Sequence, residues 1–83
     1  MAKQAKKHIP TKPEQLGNRI KALRIKKGFT NSEFFAYEYK INRSQYGKYE
    51  RGEDMRVSSL FKIIEAHGMT VKDFFSEGFD EEE

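Results

Sequence analysis

The chain has 83 residues, no cysteine, a net charge of +3 and charged side chains at 35% of its positions. A length near the lower limit for a self-sufficient core predicts a single domain, and without cysteine neither disulfides nor thiolate metal sites are open to it. No apolar run approaches the roughly 18 residues of a membrane span and no signal-peptide core opens the chain, so the expectation is a soluble, cytoplasmic protein with no membrane association.

Charge is unevenly distributed. Residues 1–15 carry four lysines against Glu14, residues 16–76 twelve Lys/Arg against seven Asp/Glu, and residues 77–83 five acidic groups and no basic one. The expected organisation is a flexible basic arm over 1–13, a folded basic domain over 14–76 and an acidic tail over 77–83. A basic small domain suits a polyanionic partner, although charge by itself is weak evidence for one.

The arm ("MAKQAKKHIPTKP") is polar, contains Pro10 and Pro13, and has no apolar period. From Glu14 to Lys27 a helix is expected, with Leu16, Ile20 and Leu23 on one stripe and Gly28 as the stop. Ile25 lies off that stripe, either packed locally or exposed. A second helix starts with Thr30 or Asn31 as its cap and runs to about Tyr39, facing Phe35, Ala36 and Tyr39 inward. Phe34 and Tyr37 add aromatic surface outside its stripe.

After the link Lys40-Ile41-Asn42, a third helix begins with Asn42 as N-cap and closes at Gly52. Gly47 interrupts it, where glycine costs about 1 kcal/mol relative to alanine. A fourth helix over Ser58–His67 buries Leu60, Ile63, Ile64 and His67 and stops at Gly68. Thr70 caps a short fifth helix whose Val71, Phe74 and Phe75 face the core. No segment alternates like a strand, so the expected fold is all-α, a compact five-helix bundle.

Two short helices joined by about three residues, the second one basic and polar, match a helix-turn-helix unit. Such a unit lays the start of its second helix along base edges in the major groove. That helix needs an apolar docking face, which Tyr46 and Tyr49 supply three residues apart, and long hydrogen-bonding side chains elsewhere. Arg43, Ser44, Gln45 and Lys48 fill those other positions. Arg43 or Lys48 can donate to guanine O6 and N7, and Gln45 or Ser44 can contact a base or a phosphate. No nucleophile–base pair, paired carboxylates or Gly-rich phosphate loop is evident, and neither His8 nor His67 has a metal-ligand partner at useful spacing. Neither catalysis, a metal nor a cofactor is therefore expected, and His67 reads as a semi-buried packing residue.

Over Leu16–Phe75 the chain resembles the Cro/CI-repressor-like (XRE) helix-turn-helix regulators. The matching pieces, in order, are Ile20-x-x-Leu23-Arg24, Gly28, Glu33-x-Phe35-Ala36, Ile41-Asn42, Tyr49-Glu50-Arg51-Gly52, Leu60-x-x-Ile63 and Phe74-Phe75. The resemblance implies a bundle of the lambda-repressor-like DNA-binding type, with helices two and three as the helix-turn-helix. It implies base contacts from Arg43, Ser44 and Lys48, and backbone or flanking contacts from Gln45, Arg51 and Ser32. Ser32 is shorter than the glutamine usual at its position, so its backbone amide and that of Asn31 take more of that work. Apart from the resemblance, Gly47 lies between the docking Tyr46 and the groove-facing Lys48, where it either lets DNA approach closely or is simply tolerated by a short, packed helix. Arg24 and Glu50 match a pair that forms an interior ion pair.

The chain also departs from the family pattern. Lys40 stands where the turn usually has glycine, the loop Gly28–Asn31 is one residue longer, and the loop after Gly52 lacks the common proline. The implied function is a sequence-specific regulator of transcription, expected to be a repressor, that binds double-stranded DNA as a dimer on a palindromic operator. The competing function is a protein-interaction adaptor that keeps the fold without specific DNA binding.

Overall fold

The structure, a computed structural model, describes residues 9–79. Within them five helices follow one another: α1 (Lys12–Lys26), α2 (Ser32–Glu38), α3 (Arg43–Glu50), α4 (Val57–Ala66) and α5 (Val71–Phe74). No strand occurs among the described residues, so the fold is all-α. No helix there is long and apolar enough to cross a membrane.

Helix α1 begins two residues before the expected start. The Thr11 hydroxyl accepts from the Glu14 amide at 3.2 Å while the Glu14 carboxylate accepts from the Thr11 amide at 2.8 Å, a reciprocal capping box. Pro13 lies in the first turn, where a missing N–H leaves no bond unmade, so it opens the helix instead of preceding it. The expected boundary at residue 13 therefore moves to Thr11; residues 1–8 of the arm lie outside the described residues.

Ile20 is fully buried, with Leu16 and Leu23 packed partly against the core, while Ile25 is exposed. Of the two possible caps for α2, Asn31 serves: its side-chain oxygen accepts from the Glu33 and Phe34 amides at 2.7 and 3.2 Å. Phe35 occupies the centre of the core, with its ring 4.8–5.4 Å from those of Tyr39, His67, Tyr46 and Phe29. The imidazole of His67 stacks on Phe35 at an interplanar angle of 15°, in keeping with a packing role. Burial, helped by the charges of Lys27 and Arg19, lowers its pKa to about 4 and keeps it neutral near pH 7.

The C-terminal end corrects two expectations. Of the fifth helix, Phe74 alone is fully buried, whereas Val71 and Phe75 keep much of their surface exposed because four residues make too short a turn to bury three. Phe79, expected in the acidic tail, is instead a core residue packed on Phe74 and Phe75. Arg19 reaches from α1 to fasten this segment, donating to the Phe74 and Asp73 carbonyls at 2.8 and 3.1 Å and pairing with Glu77 at 3.3 Å. The packed domain thus runs through Phe79, past the expected boundary at 76. The tail residues 80–83 lie outside the described residues.

Candidate nucleic-acid interface

The link between α2 and α3 sets how the two helices meet. The amides of Lys40 and Ile41 donate to the Tyr37 and Ala36 carbonyls at 3.2 and 2.8 Å, the paired bonds of a Schellman ending. That ending needs a left-handed residue at position 40, and Lys40 supplies it at φ 60° without being glycine. The Lys62 ammonium, from α4, donates to the Lys40 carbonyl at 2.8 Å and helps hold the turn in place. Lys40 thus holds a positive φ, a conformation that glycine would adopt without strain.

Helix α3 starts at once after this turn. The Asn42 side chain accepts from the Gln45 amide at 2.9 Å, and Tyr46 and Tyr49 bury their rings as the docking face. At about 100° per residue, the side opposite those tyrosines carries Ser44, Gly47, Lys48 and, continuing the spiral, Arg51. Arg43 flanks this face on one side and Gln45 on the other. Gln45 is not a free end: its side-chain oxygen accepts from the Tyr49 hydroxyl at 2.8 Å, leaving its amide N–H groups available.

Close approach of α1 and α3 fixes the depth at which α3 sits. A Cβ on Gly17 would lie 2.5 Å from the Tyr49 carbonyl oxygen and 2.8 Å from that of Glu50, so only glycine lets the helices meet there. The apolar period assigns Gly17 no role, although a glycine inside a helical stripe is a signal of just such a contact. Beside it lies the expected ion pair. Arg24 Nε and Nη2 donate to the two Glu50 oxygens at 2.7 and 3.0 Å, and Nη1 donates to the Phe29 carbonyl at 2.7 Å. Both side chains are nearly inaccessible, at 6% and 8% exposed.

This two-point geometry ties α1, α3 and the loop before α2 together. Its hydrogen bonding raises the Arg24 pKa above the ordinary value against the opposing effect of burial. The neighbouring Tyr46 hydroxyl is likewise raised above its ordinary pKa, first by burial and then by the Glu50 carboxylate.

The predicted contact residues do not all converge. Ser32 and Glu33 from α2, Asn42, Arg43 and Ser44 from the start of α3, Gly47 from its middle, and Arg51 from its C-cap surround one open hollow of about 610 Å³. Asn31 borders a second hollow of about 350 Å³ with Phe34 and Tyr37; Glu33 and Arg43 belong to both. Lys48 and Gln45 lie outside both rims, Lys48 exposed on the outward face. Among the described residues, Arg43, Lys48 and Arg51 have no side-chain hydrogen bond or ion pair within the fold, so three cations on one helix are left to solvent or a ligand. Glu33 brings an opposing charge to the same rim, a feature not assigned from sequence.

Phe34 and Tyr37 are 69% and 72% exposed, more than any other aromatic side chain of the described core-forming helices. Among the described residues no three His, Cys, Asp or Glu side chains are grouped to hold a metal ion. Comparison of the chain with protein-family models, curated proteins and solved structures finds no match.

Proposed function

We propose that the protein is a regulator of transcription of the lambda-repressor-like helix-turn-helix type, which binds double-stranded DNA through α3. One observation carries this reading: α3 docks by two buried tyrosines while its other side carries Arg43, Ser44, Lys48 and Arg51, whose three cations are not used within the fold. A helix of this kind can enter the major groove, with Arg43, Ser44 and Lys48 against base edges and Arg51, Ser32 and Asn31 against the phosphates. Arg43 and Arg51 offer paired N–H donors suited to guanine or phosphate, and the Gln45 amide can donate to a flanking phosphate while its oxygen holds Tyr49. A single short helix reads few base pairs, so a dimer on a palindromic operator completes the reading, with recognition helices about 34 Å apart. Repression in the cytoplasm, at the nucleoid, is the corresponding role.

The test is selection from a random duplex pool followed by affinity measurements against salt. An enriched motif and a log–log slope near −0.9 per phosphate neutralised are expected. Arg43→Ala should weaken specific binding by roughly 1–3 kcal/mol and relax the choice at one position. Equal affinity for every duplex would refute the reading, and a monomer by sedimentation, free and on DNA, would remove the dimer.

A second reading has its own support. The exposed Phe34 and Tyr37, with Arg43 at their border, are the kind of surface an interaction adaptor presents. Absence of any selected DNA motif, with binding to a protein partner abolished by Phe34→Ser and Tyr37→Ser, would favour it.

A further inference from the structure

Of the two sequence expectations for Gly47, one makes room for DNA itself; the structure assigns that room to Arg51. A Cβ built on Gly47 would meet only the Arg51 Nη1 atom within 4 Å, at 3.4 Å. Arg51 follows Gly47 by four residues and, at φ −85° and ψ 3°, nearly continues the helical spiral. Its guanidinium therefore lies back along α3 over the bare backbone of Gly47, at the edge of the hollow shared with Ser32, Arg43 and Ser44. We infer that Gly47 is a positioning residue: it provides the floor on which Arg51 is laid so that its planar N–H donors face a phosphate of bound duplex DNA.

The chemistry favours this use. Arginine is long and rotamer-rich, so a guanidinium free to sample solvent gives up much of its binding energy when it is ordered. Lying against a helix surface limits that freedom in advance, and the planar fork then presents adjacent donors to phosphate oxygens. Among the described residues no carboxylate or carbonyl occupies those donors. The distance also grades the response to substitution. At 3.4 Å one methyl makes ordinary contact, so alanine leaves Arg51 in place, whereas a long side chain takes over the strip. Direct approach of DNA to Gly47 would instead make alanine harmful on its own.

The inference rests on the DNA-binding reading, and two measurements separate the two. In the free protein, NMR should show contacts between the Gly47 α protons and the Arg51 side chain, lost in Gly47→Met while the fold and melting temperature persist. Absence of these contacts in the unsubstituted protein overturns the positioning role, whatever DNA does.

On the selected duplex, Gly47→Met and Arg51→Ala should each weaken binding about tenfold and each flatten the salt slope by about one phosphate's share. The double variant should match Arg51→Ala alone, and Gly47→Ala should bind within about twofold of the unsubstituted protein. Additive losses, or a loss in Gly47→Ala as large as in Gly47→Met, would overturn the inference in favour of direct contact. If the NMR contacts are present but no duplex is bound with preference or salt dependence, the DNA reading fails and the phosphate assignment fails with it.

Discussion

Removing the Glu50 carboxylate tests how α3 is held. In Glu50→Ala the Arg24 guanidinium stays where 6% of its side chain is exposed, loses its bonds at 2.7 and 3.0 Å, and keeps only the one to the Phe29 carbonyl. A buried charge left without its partner costs about 3–5 kcal/mol. Domains carry roughly 0.05–0.15 kcal/mol of stability per residue, so a chain this small has about 4–12 kcal/mol to lose from.

Each kcal/mol lowers the melting temperature of such a domain by about 4–8 °C, so Glu50→Ala should lose at least about 12 °C or be unfolded at 25 °C. Circular dichroism during heating and urea titration measures it. The double variant Arg24→Met/Glu50→Leu should recover much of the loss, because apolar side chains need no partner. A drop below about 4 °C in Glu50→Ala, or a double variant less stable than the single one, would refute the assignment of Arg24–Glu50 as a buried, mutually dependent pair.

Three further outcomes follow from the packing. Gly17→Ala should destabilise by about 1–3 kcal/mol in urea titration despite alanine's better helix propensity, since its methyl meets backbone oxygens that cannot turn aside. Lys40→Gly should raise stability by up to about 1 kcal/mol by relieving the left-handed backbone at φ 60°, measured in the same way. His67 has a folded-state pKa of about 4 against an ordinary 6.5 in the unfolded chain. As pH falls through that window the unfolded chain takes up a proton the native state refuses, so stability declines by at most about 3 kcal/mol. His67→Leu should flatten the stability curve between pH 6.5 and 4, and an unchanged slope would show that other groups govern it.

The helices and much of the core were legible because their signals are local. A 3.6-residue apolar period places Ile20, Phe35, Tyr46, Leu60 and Ile63 inward, and short polar side chains at Asn42 and Thr70 cap the helices they precede. The Arg24–Glu50 pair was legible for a different reason, a resemblance that places the two residues together across 26 positions of chain. What escaped were contacts that depend on which surfaces meet. Phe79 has the composition of a tail around it and is buried where its ring meets Phe74 and Phe75, with Arg19 fastening the preceding residues to α1 and Lys12 and Gln15 donating to its carbonyl. Pro13 reads as the end of the polar arm until Thr11 and Glu14 are seen to cap the turn containing it.

The sequence by itself determined an all-helical chain, the registers of its helices and the basic, hydrogen-bonding character of α3, since periodicity, capping and side-chain chemistry act over a few residues. Only the tertiary structure decided the depth at which α3 sits against α1 through Gly17, the left-handed turn held by Lys62, and the separation of Lys48 and Gln45 from the hollow that gathers Arg43, Ser44 and Arg51. It also turned Gly47 from a gap in a helix into the surface beneath Arg51. The physical reason is the same in each case: close packing is a relation between distant segments, and the room a missing side chain leaves has meaning only once the neighbour that fills it is in place.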